Sequence, residues 1–187
     1  GLVDWNLSRS RFWGTPLPIW ATEDYSEMKC IGSVEELVAE IEKSVAASLM
    51  KENPYKNFKP GDLSKENYST DRIDLHRPYV DNIVLVSSEP MRREPDLIDV
   101  WFDSGAMPYA QLHYPFEHGG DYFKSVYPAD FIAEGVDQTR GWFFTLHAIA
   151  TMLFDSVAFK NIISNGLVLD KNGNKISKRR GNAVAPF

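Results

Sequence analysis

Residues 129–165 carry the strongest restriction on the fold. Two short β-prone runs, ADFIAEG and FKNIISNG, flank TRGWFFTLHAIATMLFDS, which is long enough for a helix and apolar nearly all round. A helix of that kind is buried. Strand, helix and strand in that order form a crossover unit of a parallel sheet, with a right-handed connection expected. LIDVWF, upstream, is a further short strand candidate, and GLVLDKNGNKIS reads as a hairpin around Asp-Lys-Asn-Gly. The fold class is therefore α/β.

The first half follows a different pattern. Pro16 and Pro18 exclude a helix from the aromatic and basic opening DWNLSRSRFWGTPLPIW and favour an extended segment. Val34 to about Leu49 predicts an amphipathic helix, with Ser33 as N-cap and Glu36 completing a capping box. Residues 51–77 turn polar and read as loop with at most short helices. YVDNIVLVSS reads as a mostly buried strand, and this insert closes at Pro95.

Composition excludes several classes. The 43% hydrophobic content supports a packed core, so disorder is not the general state. A single cysteine, Cys30, rules out an internal disulfide and a multi-cysteine zinc site. No run approaches the ~20 apolar residues needed to span a bilayer. The start lacks the apolar stretch of a signal peptide. The expectation is a soluble, cytoplasmic chain. Its abrupt ends suggest a piece of a longer protein.

Three stretches hold residue types suited to chemistry. In AEGVDQTRGWF, Glu134, Asp137, Gln138 and Arg140 follow an apolar strand, where ligands of open α/β sheets bind. Carboxylates and amides accept hydrogen bonds from ribose hydroxyls and ammonium groups, and Gly135 permits close backbone approach. Helix capping by Asp137 with solvated neighbours is the plainer reading. In IDVWFDSGAMPYA, Trp101 stands before Asp103-Ser104-Gly105, a turn signature. Its indole could wall a small apolar pocket or simply pack. In NGNKISKRRGN the charge is unusual. The chain has net charge −6, yet Lys171, Lys175, Lys178, Arg179 and Arg180 cluster near its end without a carboxylate. Such cations can hold triphosphate oxygens. A solvated basic tail remains the alternative. The histidines show no metal spacing, and His147 reads as a core residue. Asp96, Asp99 and Asp103 resemble a carboxylate cluster without an assured common face. The aromatic, basic opening allows RNA contact or packing.

Taken in order, the stretches resemble class I aminoacyl-tRNA synthetases. KISKR (Lys175 to Arg179) is similar to that family's KMSKS loop. DVWFDSG and EGVDQTRGWF resemble its isoleucine-specific branch, and SRSRFWGTPLPIW resembles the segment returning from its editing insertion. The resemblance covers nearly the whole chain. It implies the second half of a Rossmann-like nucleotide-binding fold with a small α+β connecting insertion. Residues 1–20 would return from the editing insertion, 21–95 would form the small insertion, and 96–187 the catalytic half.

The resemblance also implies a site. Glu134, Gly135, Asp137 and Gln138 would line an adenylate, and Gly166 and Leu167 would lie near its adenine. Trp101 and Trp142 would shape an apolar pocket for the isoleucine side chain. Lys175 and Lys178 would hold the triphosphate, Lys178 above all. The partners would be isoleucine, ATP and tRNA(Ile), with Mg2+ accompanying ATP. No metal ligand is expected, since the serines of VLVSSEPMRR stand where some relatives carry a zinc knuckle. The family's HIGH motif is absent, so the chain alone would be inactive. Its missing half would expose apolar surface and favour self-association. KISKR departs from KMSKS at Ile176 and Arg179. A valyl or leucyl enzyme, and a stand-alone nucleotide- or RNA-binding module, are the alternatives.

Overall fold

The computed structural model describes residues 4–183. The chain divides into two compact units between Val100 and Trp101.

In the first unit, β1 (Ser8–Arg9) is followed by β2 (Ile19–Ala21), β3 (Met28–Cys30), α1 (Val34–Ala46), β4 (Val84–Leu85), β5 (Met91–Arg93) and β6 (Leu97–Ile98). An antiparallel sheet takes the order β3-β2-β5-β4. The α1 face carrying Leu37 and Ile41 packs into one core with Trp20, Ile83, Leu85 and Met91. Ser33 caps α1 as expected, accepting from the Glu36 amide at 3.1 Å. Glu36 reaches back one residue further than a capping box requires, accepting from the Gly32 amide at 2.7 Å. Residues 51–77 hold neither helix nor strand. Their order comes from side chains. The fully buried Asn67 exchanges hydrogen bonds with both backbone groups of Lys59 at 2.9 Å and donates to the Asp62 carbonyl at 2.7 Å. Each buried amide group is thereby satisfied.

The strand expected over residues 79–88 shrinks to Val84–Leu85, preceded by a 3-10 turn at Val80–Asn82. The reason is Asp81, which turns toward Arg77 (2.8 Å) and the buried Arg93. Partial burial opposes ionisation of Asp81, but the two guanidinium groups outweigh it and hold its carboxyl below the usual range. Arg93 also donates to the carbonyls of Leu17, Glu94, Pro95 and Asp96. It thus ties together the chain entering and the chain leaving the sheet.

β1 pairs antiparallel with β6, and Pro16 bridges to Leu97. The opening segment forms no helix, as its prolines require, and bends at residues 12–14 between its short β pairings. Asp96 and Asp99 hold different partners. Asp99 is buried and accepts from Arg9 (2.7 Å) and the Trp5 indole (2.9 Å), whereas Asp96 accepts from Ser10. Phe12 and Trp13 are exposed. The Arg77 guanidinium lies over the Phe12 ring, and Trp13 stacks on His76 with ring centres 4.6 Å apart.

In the second unit, α2 (Val100–Ala110), which begins at the boundary residue, is followed by α3 (Gly119–Val126), β7 (Ala129–Gly135), α4 (Trp142–Phe154) and β8 (Phe159–Asn165). β7 and β8 are parallel, with Ala129 opposite Phe159 and Gly135 opposite Asn165. α4 makes the crossover, as the sequence predicts. Its inner face carries Phe143, Leu146, Ile149 and Ala150. The helix is not buried all round, because Met152 and Leu153 are exposed. An aromatic cluster of Phe123, Tyr127 and Phe154 closes the core, with ring centres about 5 Å apart. His147 stacks on Phe159 and accepts from the Ala158 amide at 3.3 Å.

The structure corrects the reading of DVWFDSG. Only Leu97–Ile98 is strand, and Trp101 to Gly105 lie in the first turns of α2. Gly105 is a packing position and not a turn. A Cβ there would stand 2.8 Å from Ile149 Cδ1 and 3.0 Å from the Thr145 backbone carbonyl. Helix propensity favours alanine over glycine by about 1 kcal/mol, but overpacking costs about 1–3 kcal/mol, and the Thr145 backbone has no rotamer to yield. Gly105→Ala is expected to lower the unfolding free energy by up to about 2 kcal/mol in urea titration of the purified chain. Raised stability would contradict the close approach of α2 to α4.

Candidate active site

The parallel register brings two loops to one end of the second unit. Glu134 stands opposite Ser164 and Gly135 opposite Asn165, so Val136–Arg140 and Gly166–Leu167 leave neighbouring strand ends. Glu134 and Asp137 are exposed, and Gly166 has open space where a Cβ would point. At Gly135 a Cβ would fall 2.6 Å from Asp137 Oδ1, so the glycine lets the Asp137 carboxylate fold back over the strand end. The expected cap does not come from Asp137. Gln138 Oε1 accepts from the Trp142 amide at 3.2 Å and so occupies the start of α4.

The two indoles lie on different helices. Trp142, on α4, donates from Nε1 to the Ser104 carbonyl of α2 at 3.0 Å. Trp101, on α2, lies against Gly141, where a Cβ would be 3.3 Å from its ring. Trp142 lines a cavity of about 290 Å³ with Met107, Ile132, Leu146 and Phe159, and Trp101 does not line it. The backbone carbonyl of Ser104 and the bare Gly141 escaped the sequence reading, because neither group has a side-chain signature.

The basic segment folds back on the hairpin that precedes it. Leu169 and Lys175 form an antiparallel bridge, and Gly173 completes the turn at φ 79°. Asp170 Oδ1 accepts from the Asn172 and Asn174 amides, each at 2.9 Å. Lys178–Arg180 forms one 3-10 turn capped by Ser177, and Gly181 at φ 69° ends it. Lys175, Lys178, Arg179 and Arg180 are all exposed. Among the described residues, no three His, Cys, Asp or Glu side chains gather to hold a metal ion, and no helix is long and apolar enough to cross a membrane. Residues 184–187, which follow the basic run, lie outside the described residues.

Residues 2–187 match the family model described as tRNA synthetases class I (I, L, M and V). This chain belongs to the class I tRNA synthetases. Isoleucine–tRNA ligase of Bacteroides fragilis is 73% identical over the whole chain, and that of Thermus thermophilus 49%. Mouse cytoplasmic isoleucine–tRNA ligase is 45% identical over 98% of the chain. The chain spans only 17%, 16% and 12% of those relatives' lengths. A LeuRS–tRNA–LeuAMS ternary complex from Agrobacterium radiobacter K84 matches in fold with a TM-score of 0.60 at 20% identity, over 99% of this chain and 22% of that one. The mixed α/β content is thus that of a class I synthetase catalytic domain.

The Asp170 carboxyl is held below the usual carboxylate range, first by the Asn182 side chain and then by the Asn174 amide. A depressed folded pKa means that this turn is stabilised at neutral pH and loses that stabilisation as pH falls through the folded value. Titration of the Asn174 amide by NMR should give a midpoint below that of an ordinary aspartate. A midpoint at or above the ordinary value would contradict the hydrogen bonds described.

Proposed function

We propose that this chain is part of an isoleucine–tRNA ligase that activates isoleucine with ATP as isoleucyl-adenylate, releasing pyrophosphate, and passes the isoleucyl group to tRNA(Ile). The observation that carries the reading is the convergence of 134–138 and 165–167 at adjacent parallel strand ends, followed in the sequence by a carboxylate-free cationic segment. From residue 96 onward the chain would be the second half of a Rossmann-like domain. Residues 21–95 would be the connecting insertion, and 1–20 the return from the editing insertion.

In adenylate formation a carboxylate oxygen of isoleucine attacks the α-phosphorus of ATP. The bond to the bridging oxygen breaks, and pyrophosphate leaves with its electron pair. Positioning and charge stabilisation do most of this work. Glu134 and Asp137 have the acceptor oxygens to take ribose hydroxyls and the ammonium group, with Gly135 and Gln138 shaping the backbone beneath. Gly166 and Leu167 would receive the adenine, and Trp101 and Trp142 would bound the isoleucine side chain. Lys175 and Lys178 would neutralise charge on the departing pyrophosphate. Cations that grip it more strongly in the transition state than in the ground state accelerate the step. Mg2+ would arrive on the nucleotide. A cytoplasmic setting belongs to this reading, since the product serves translation.

The isolated 187-residue chain would lack adenylation activity and would self-associate through exposed Phe131, Ile162 and Ile163. In the full-length polypeptide, Lys178→Ala should lower kcat of isoleucine-dependent ATP–pyrophosphate exchange on the order of a hundredfold, with a smaller change in the KM for isoleucine. An unchanged kcat would remove Lys178 from this role, and exchange by the isolated chain would overturn its dependence on further residues.

A further inference from the structure

The cationic segment is organised by two residues with no positive charge to offer a phosphate. Asn182 reaches across it with both ends of its amide. Its Oδ1 accepts from the Ser177 amide at 3.0 Å. Its Nδ2 donates to Asp170 Oδ2 at 2.9 Å and approaches the Lys175 carbonyl at 3.3 Å. Asp170 uses its other oxygen to hold the hairpin turn at the Asn172 and Asn174 amides. One amide thus joins the carboxylate before the basic run to backbone groups on both sides of Ile176. The burial pattern agrees. Asp170, Ile176, Ser177 and Asn182 are partly buried, whereas Lys171, Lys175, Lys178, Arg179 and Arg180 are exposed. The polar latch faces inward and the cations face out.

We infer that Asp170 and Asn182 are positioning residues that hold Lys175 and Lys178 at a fixed spacing for the leaving pyrophosphate. The inference rests on the lysine roles proposed above. A lysine on a flexible stem is a poorly placed point charge, and a loop closed on itself limits where the two ammonium groups can stand. The carboxylate acts through Asn182 and does not touch the phosphate. Its two oxygens accept from backbone and amide donors of the hairpin and of Asn182.

The test uses the full-length polypeptide with Asn182→Ala, Asn182→Asp and the double exchange Asp170→Asn with Asn182→Asp. Two readouts are taken: isoleucine-dependent ATP–pyrophosphate exchange, and amide hydrogen exchange in peptides covering residues 175–180. Asn182→Ala is expected to lower exchange kcat on the order of tenfold, to leave the KM for isoleucine within about twofold, and to raise hydrogen exchange at Ser177. Asn182→Asp should be worse, because two carboxylates would then face each other. The double exchange restores an amide against a carboxylate in the reverse sense and should recover most of the loss relative to Asn182→Asp.

Wild-type kcat in both single variants would overturn the inference, whether or not Ser177 loses protection. A rise in the isoleucine KM in step with the fall in kcat would make the pair merely structural. Absence of recovery in the double exchange would also overturn it. Absence of isoleucine-dependent exchange in the wild type would instead remove the proposed function itself. That result is seen before any variant is made, and hydrogen exchange at Ser177 still reports on the latch.

Discussion

Two parallel strands cannot be joined by a tight turn, and everything at the candidate site follows from how β7 and β8 are joined. The crossover through α4 returns the chain to the starting edge, so the loops that leave β7 and β8 emerge at the same end. The helix must lie close to the strands and also to α2. Gly105 makes the second approach possible by presenting no Cβ to the Thr145 backbone. With α2 that near, the Ser104 carbonyl can receive the Trp142 indole N–H. A glycine 37 residues before Trp142 in the chain therefore bears on where that indole stands.

The first unit solves a different problem. Its strands are only two or three residues long, too short to hold a sheet by ladder hydrogen bonds alone. Buried polar side chains supply the remaining order. Arg93 fastens four carbonyls and Asp81, Asn67 fastens a 27-residue stretch without regular structure (residues 51–77), and Asp99 receives Arg9 and Trp5. Each is satisfied, which is the condition under which buried polar groups stabilise a unique arrangement.

Legibility in the sequence tracked the range of the interaction involved. The crossover helix, its two strands, α1 with its Ser33 cap and the hairpin at Asp170 were legible, because each depends on local periodicity or turn chemistry. DVWFDSG misled because Asp-Ser-Gly is a turn signature, whereas here Gly105 serves a helix–helix contact that only the fold reveals. The strand expected at 79–88 failed for a similar reason, since Asp81 answers to Arg93, twelve residues away. At the candidate site, Glu134 to Gln138 and the two lysines stood out by residue type. Asn182 did not, because its role comes from a turn closing on itself.

In the function proposed above, residues 134–138 and 165–167 together form one adenylate site. The most direct measurement is amide hydrogen exchange of the full-length polypeptide with and without a non-hydrolysable isoleucyl-adenylate analogue. Both segments should gain protection together at the same analogue concentration, while the turn that Asn67 holds at 59–67 should not respond. Protection confined to one segment, or absent from both while the analogue is bound, would contradict the account.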